Sequence, residues 1–268
     1  MSCQSFRVAP WCVALATALS FSSVGHAAPI VWDFDNPTPV SIVQISQAGG
    51  LEVGDKIFAD FGVASSGNAV YQPTAAEITV SGTFLNGDYG LQFNGGWFAL
   101  PGQTLDTAIN FDVTVAPSGA PNLIKDAGLF MDGVMLNSLP SSFVQVQESV
   151  YAAPPVPGGH PTNLVPGEGV YANSSGEING VDQGFILNGV PVAYPEVWVI
   201  KDIMLYGGTI PPSGIIPPGP NTAVSWITQT YSQTPEPSTF ALLGVALLSL
   251  FGYAACAWRR PAPARRLS

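Results

Sequence analysis

The side chains that could carry out chemistry in this 268-residue sequence are carboxylates. Histidine occurs at positions 26 and 160, and the cysteines are Cys3, Cys12 and Cys256, all near the chain ends. A Ser-His-Asp triad would have to use His160, which stands in a Pro- and Gly-rich stretch, and no Gly-x-Ser-x-Gly frame occurs. One histidine without a nearby cysteine also does not make a zinc site. We therefore interpret His160 as a loop residue and predict no catalytic, cofactor-binding or metal residues.

Two carboxylates facing each other can hydrolyse glycosides without histidine. The candidates for such a pair are Asp112, Glu148, Glu168 and Glu196. An acidic domain supplies such residues in any case, so we predict that the protein is not an enzyme. A secreted glycan-active enzyme with paired carboxylates is the alternative.

Calcium prefers oxygen ligands from loops. Three segments could contribute such ligands: Asp33–Asn36, Asn86–Asp88 and Glu177–Asp182. None follows the EF-hand order, and Asn and Asp in turns also stabilise their own backbone. We expect no cofactor, with Ca²⁺ as the alternative.

Tryptophan could provide a stacking surface for sugars. Trp97-Phe98, beside the turn residues Asn94-Gly95-Gly96, is the best local candidate. Core packing is the default interpretation for this tryptophan and for Trp32, Trp198 and Trp226.

The charge distribution excludes one class of partner. Between Ala28 and Gln233 the cationic residues are Lys56, Lys125 and Lys201, against 17 of the chain's 18 carboxylates. Such a surface cannot displace phosphate counterions, so we predict no nucleic-acid partner.

Alternating apolar and polar residues predict strands in the middle of the chain. Ile109–Val115 alternates cleanly, Ala76–Leu85 places Ile78, Val80 and Phe84 on one face, and Val197–Leu205 looks buried on both faces. Val40–Ile45 is a shorter strand candidate.

Turn residues separate these strands. Asn-Gly or Asp-Gly pairs begin at positions 86, 94, 132, 179 and 188, and no sustained helical stripe is visible. We predict an all-β fold, an antiparallel β-sandwich of jelly-roll-like size, with a barrel as the alternative. Ala153–Gly169 and Ile210–Pro220 are predicted loops within one domain spanning residues 28–233.

Residues 1–27 have the features of a secretory signal peptide. Arg7 precedes the apolar run Val8–Phe21, and Gly25 and Ala27 supply the small residues that a signal peptidase reads. We predict cleavage after Ala27, with Ala28 as the next choice.

The C-terminal segment, residues 234–268, has three parts. Pro235-Glu236-Pro237 precedes an uncharged run at 240–258, long enough for a membrane helix, and Arg259 and Arg260 open an Arg-rich end at 259–268. An ordinary single-pass anchor would share the last two parts.

Together these parts resemble the PEP-CTERM sorting signal of exopolysaccharide-producing bacteria. The resemblance implies an exosortase-type partner, cleavage near Pro235–Pro237, and a membrane-anchored precursor that reaches the cell surface or matrix. The same tail is also catalogued as an ice-binding protein C-terminal domain, but the ranks of outward Thr that ice binding needs are not evident.

The central region also resembles stretches common among PEP-CTERM cargo proteins, at residues 54–61, 147–149 and 225–233. That resemblance implies no activity. We expect an exported surface or matrix protein that is structural or binds extracellular polysaccharide.

Overall fold

The structure is a computed structural model, and it describes residues 28–119, 122–136, 139–155, 162–173, 176–214, 216 and 218–234. The predicted signal peptide, His160 and the sorting residues Pro235, Glu236, Pro237, Arg259 and Arg260 lie outside these residues, as does the predicted helix 240–258.

Nineteen strands and one α-helix are found in the described part of the chain. In chain order they are β1 (Ile30–Val31), β2 (Val40–Ser41), α1 (Ile42–Ala48), β3 (Leu51–Val53), β4 (Lys56–Gly67), β5 (Thr79–Leu85), β6 (Asp88–Asn94), β7 (Trp97–Ala99), β8 (Thr104–Val115), β9 (Asp126–Asp132), β10 (Met135–Leu136), β11 (Phe143–Tyr151), β12 (Gly169–Asn173), β13 (Gly176–Ile178), β14 (Gly180–Gly184), β15 (Ile186–Leu187), β16 (Val190–Pro191), β17 (Glu196–Tyr206), β18 (Thr222–Val224) and β19 (Trp226–Tyr231).

Most strands belong to two facing sheets. The larger has the order β1-β3-β4-β8-β17-β11-β12-β13, and the smaller has the order β14-β9-β19-β6-β5-β2. Every described strand pair is antiparallel except β1 with β3. The predicted antiparallel β-sandwich is confirmed. β11 and β12, which flank the proline-rich loop, are neighbours in one sheet.

The inner faces of the two sheets form one apolar core. Phe58 and Phe111 of the larger sheet contact Tyr231 and Phe93 of the smaller sheet, with ring centroids 6.0 and 5.7 Å apart. Each fully buried side chain of this size contributes about 1.5–3 kcal/mol by leaving water. The core therefore depends on the period-2 alternation seen in the sequence.

Two of the predicted Asn-Gly turns form tight hairpins. Asn86-Gly87 joins β5 to β6, and Asn188-Gly189 joins β15 to β16, all four residues having positive φ as a type I′ turn requires. Asn179-Gly180 instead carries the chain from the larger sheet to the smaller one.

Two local predictions were wrong. The strand predicted at Val40–Ile45 ends at Ser41, because Ser41 and Gln44 form a capping box that starts α1. Phe84 alternates in register with Val80 as predicted, but it is 56% exposed beside the hairpin turn and contacts Tyr89. Val197–Leu205 is not buried on both faces but alternates, and its inward residues include Lys201.

Among the residues that the structure describes, no helix is both long and apolar enough to cross a membrane.

Candidate functional site

A groove lies on the outer face of the larger sheet, where β4, β8 and β17 run side by side. It has a volume of about 410 Å³. We call it the Trp198 groove and define it by Asp60, Asn110, Asp112, Trp198, Pro154 and Pro155.

Strand pairing forms the floor of the groove. Trp198 of β17 lies directly opposite Asp112 of β8, and Ile200 lies opposite Asn110. Directly opposite residues of an antiparallel pair have Cβ atoms about 5 Å apart. The half-buried indole of Trp198 and the carboxylate of Asp112 are therefore neighbours on one surface.

A β-bulge in β4 forms one wall. The register with β8 shifts between Ala59 and Gly62, and Asp60 has φ of 51°. The bulge places the exposed Asp60 at the groove, and the side-chain amide of Asn110 donates a hydrogen bond to its backbone carbonyl at 3.4 Å. A Cβ at residue 62 would lie 2.5 Å from the Asn110 side-chain oxygen, so an alanine there would displace the Asn110 side chain.

The other wall comes from the segment that follows β11. Pro154 and Pro155 line the groove there. Proline fixes φ and loses little conformational freedom when it is ordered, so placing these two residues against a ligand would cost little entropy.

Asp112 is the electrostatic centre of the groove. Only 6% of the residue is exposed, and its Oδ1 has no hydrogen-bond partner. Burial raises the pKa of Asp112 to about 6, and the negative charges of Asp60 and Glu196 add to the rise. The carboxylate therefore carries both a desolvation cost and like-charge repulsion, which a hydrogen-bond donor from a ligand would relieve.

A second groove of about 430 Å³ lies on the same outer face, near β11 and β12. Its lining includes Phe143, Gln145, Tyr171 and Asn173. Between the two grooves Asp202 and Asp106 interact through their side chains, which together with burial raises the pKa of Asp202 to about 6. This face thus offers aromatic rings, amides and carboxylates along a continuous sheet surface.

A polar cluster lies between the two sheets. The ammonium of Lys201 on β17 donates to Oε2 of Glu148 on β11 at 2.6 Å and to Oε1 of Gln229 on β19 at 2.5 Å. The Gln229 amide in turn donates to Oε1 of Glu148 at 2.6 Å. All three side chains are buried, so this cluster connects the sheets and is closed to a polymer in solution.

Glu168 and Tyr231 belong to the same interior region. Glu168 is 2% exposed, and neither of its side-chain oxygens has a hydrogen-bond partner. Burial raises the pKa of Glu168 to about 10, and the charge of Glu148 adds to the rise. Burial likewise raises the pKa of Tyr231 well above its ordinary value. Glu168 is therefore neutral at neutral pH.

The four candidate carboxylates thus fall into two pairs. Glu148 and Glu168 interact inside the sandwich, whereas Asp112 and Glu196 interact at the outer face. Sequence reasoning missed Asp60, Asn110 and Lys201. The signal for Lys201 was its position in the same alternating register as the buried Val199 and Ile203.

The other tryptophan and calcium candidates do not lie in the Trp198 groove. Trp97 is fully buried and packs against Gly95, so it offers no stacking surface, in line with the core interpretation. In the first calcium candidate segment, Asp33 accepts a hydrogen bond from the Asp35 backbone, as expected of a turn residue. Within the described residues no group of three or more His, Cys, Asp or Glu side chains could hold a metal ion.

Comparison with known proteins identifies the tail. Residues 233–260 match the PEP-CTERM protein-sorting motif. The match begins at the edge of the sandwich, where the Thr234 backbone donates to the Leu123 carbonyl at 2.8 Å. The predicted recognition of the tail is confirmed, and the motif implies export, a membrane-anchored precursor and processing by an exosortase-type enzyme.

No curated protein matches the sequence. Among solved structures, a carbohydrate-binding module, TmCBM27, described for specific mannan recognition, is similar with 10% identity and a TM-score of 0.20. The alignment covers 68% of this chain and all of that one.

Proposed function

We propose that this exported protein is a non-catalytic module that binds extracellular polysaccharide through the Trp198 groove. The observation that carries the proposal is that a half-buried indole and the recessed carboxylate of Asp112, whose Oδ1 has no hydrogen-bond partner, line one groove. An indole face stacks on the apolar face of a sugar ring, while a carboxylate oxygen accepts hydrogen bonds from sugar hydroxyls.

The position of the site supports binding to a polymer. The groove lies on an open sheet face, and the Tyr171-containing second groove lies on the same face. Trp198 and Gln145 lie on neighbouring strands, β17 and β11, about six residues apart along the pairing. At about 3.4 Å per residue this separation is about 20 Å, so a chain of several sugars would reach both grooves.

The sorting signal supplies the location for this activity. A PEP-CTERM signal, together with the predicted signal peptide cleaved near Ala27, would deliver the domain to the cell surface or the matrix. The resemblance of the tail to sorting signals of exopolysaccharide-producing bacteria makes polysaccharide the expected partner there, and the acidic surface suits no nucleic-acid partner.

A binding assay tests the proposal. The full-length chain in mild detergent is incubated with immobilised neutral and amino-bearing polysaccharides, and retention is measured. We expect W198A to lower the affinity about tenfold or more, as for a central aromatic contact. Trp226→Ala is the matched control, because Trp226 is 41% exposed on the smaller sheet. Equal binding by wild type and W198A would contradict the proposal.

Glycoside hydrolysis is the second candidate, because Asp60 and Asp112 both line the groove. A carboxyl group with a raised pKa beside a second carboxylate is the arrangement that hydrolysis needs. However, hydrolysis needs Asp112 as a general acid at the glycosidic oxygen, whereas the proposed binding mode places this carboxyl group at a hydroxyl or amino substituent of a sugar beside the Trp198 indole. We expect no release of reducing ends from any bound polysaccharide. Release that D112N abolishes would replace binding with catalysis.

A further inference from the structure

The Trp198 groove is bordered by negative charge without a compensating cation. Asp60 and Glu196 are the carboxylates whose charges act on Asp112, and no lysine is among the described residues that line the groove. Further along the same face, β8 and β17 carry Asp106 and Asp202.

The three lysines of the domain are engaged elsewhere. Lys201 is enclosed between the sheets with Glu148. Lys56 is 2% exposed and pairs with Asp55 at 2.8 Å, and Lys125 lies 3.8 Å from Asp126. A polyanion such as a polyuronate would therefore meet repulsion at the groove, with no lysine among its described lining residues to offset it.

Asp112 provides an independent indication of the ligand's chemistry. Asp112 lines the groove, and its Oδ1 is buried and lacks a hydrogen-bond donor. A sugar hydroxyl would supply one donor, whereas an ammonium supplies three donors and a positive charge. The ammonium therefore satisfies the oxygen and also reduces the repulsion from Asp60 and Glu196.

The neighbouring indole favours the same group. A cation within about 6 Å of an indole face is attracted by the ring's negative face, and more strongly when the cation is less hydrated. Trp198 lies directly opposite Asp112 in the strand pairing. An amino group carried on a sugar ring can meet the carboxylate while the ring itself stacks on the indole.

We infer that the Trp198 groove selects glycans whose amino groups are unacetylated and positively charged, an inference that rests on the proposed polysaccharide-binding function. Neutral and N-acetylated glycans bind more weakly, and polyuronates are rejected.

The experiment compares two hexasaccharides that differ in acetylation alone, the glucosamine hexamer and the N-acetylglucosamine hexamer. Binding to the full-length chain in detergent is measured by titration calorimetry at one pH and two salt concentrations, with polygalacturonate and hexalysine as further probes. We expect the glucosamine hexamer to bind about tenfold more tightly than the acetylated hexamer. Added salt should reduce that preference, since exposed charges are screened over about 10 Å at 0.1 M.

Two variants test which side chains produce the preference for the amino-bearing glycan. D112N should weaken binding of the glucosamine hexamer more than binding of the acetylated hexamer, and so reduce the preference for the amine at least severalfold. W198A should weaken both hexamers. Asp35→Asn is the matched control, because Asp35 is an exposed carboxylate that does not line the groove.

The outcomes separate the two proposals. Equal binding of both hexamers, sensitive to W198A, would overturn the amine preference and leave polysaccharide binding intact. A W198A-sensitive complex with hexalysine but with neither hexamer would assign the groove to cationic peptides and overturn the inference. Absence of binding to every glycan would overturn both proposals.

Discussion

Replacing Glu168 with Gln should stabilise the protein at neutral pH. Glu168 is buried, its side-chain oxygens lack hydrogen-bond partners, and its pKa is raised from 4.5 to about 10. In the unfolded chain this carboxyl group is ionised at pH 7, whereas in the folded chain it is protonated. Folding must therefore take up a proton, and the stability that Glu168 contributes falls as pH rises between these two pKa values.

The size of the effect follows from the interval between the unfolded pKa and the working pH. Each unit corresponds to 1.36 kcal/mol, so protonating Glu168 at pH 7 costs about 3 kcal/mol. Gln is a neutral side chain of the same shape and avoids this cost, but its amide introduces a second donor that needs a partner. We expect E168Q to gain about 1–3 kcal/mol in the free energy of unfolding at pH 7 and little near pH 4.5.

The assay is guanidinium unfolding of the full-length chain in mild detergent, followed by tryptophan fluorescence at several pH values. Stability of the wild type should fall by up to about 1.4 kcal/mol per pH unit between roughly pH 5 and 9, and E168Q should remove most of that slope. An unchanged slope in E168Q would show that Glu168 is ionised in the folded protein and refute the reasoning.

Glu148→Gln is the matched control, since the two carboxyl groups belong to one cluster. Glu148 accepts hydrogen bonds from both Lys201 and Gln229, so an amide at this position loses the charge that pairs with Lys201. Breaking a buried ion pair in this way costs about 3–5 kcal/mol. At neutral pH, E168Q should therefore raise the free energy of unfolding and Glu148→Gln should lower it.

Three further predictions concern the groove, the sheet contact and the tail. D112N should stabilise the protein by about 1–3 kcal/mol at pH 7 and by little near pH 4. Burial and neighbouring charge raise the pKa of Asp112 from 3.8 to about 6, so the wild-type protein loses stability as the pH rises through that interval. Chemical unfolding at both pH values checks this prediction. Gly90→Ala should destabilise by about 3 kcal/mol or more, because the new Cβ would lie 1.8 Å from the Gln229 carbonyl oxygen, whereas Gly184→Ala, with no atom within 4 Å, should change the unfolding midpoint little. Deleting residues 235–237 should leave an uncleaved precursor in the membrane fraction on immunoblots, and unchanged processing would contradict the assignment of the sorting site.

The strands were predictable because their signal is local. Ile109, Phe111 and Val113 alternate with polar residues and are buried, as a half-buried strand requires. The hairpin at Asn86-Gly87 was equally readable, since a two-residue turn depends on its own residues. The capping box of Ser41 and Gln44 was also present in the sequence, but the apolar residues around it suggested a strand.

The buried cluster could not be predicted because its members are far apart in sequence. Lys201 is separated from Glu148 by 53 residues and from Gln229 by 28. Each occupies an inward position of its strand, which indicates burial but not a partner. The pairing of β11 with β17, and the facing of β17 with β19 across the core, are long-range contacts that no local pattern encodes.

The groove could not be predicted from the sequence for a different reason. Its wall depends on a bulge between Ala59 and Gly62, which moves Asp60 relative to β8. A bulge changes the face of the sheet on which the following side chains lie, so a prediction that assumes strict alternation does not detect it. Gly62 was the available hint, because glycine inside a strand often marks a bulge or a close approach.

The carboxylates of Glu148 on β11 and Asp112 on β8 differ in how their negative charge is balanced. Glu148 faces inward and is paired with an internal cation, whereas Asp112 faces the groove and has neither a cation nor a donor at its Oδ1. An amide at position 112 would fold better at neutral pH, so the carboxylate lowers stability in the free protein. A ligand that brings a donor or a positive charge would reverse that effect. The same substitution, D112N, should therefore raise stability and weaken the preference for an amino-bearing glycan, and a gain in stability without that loss would separate the electrostatic strain from recognition.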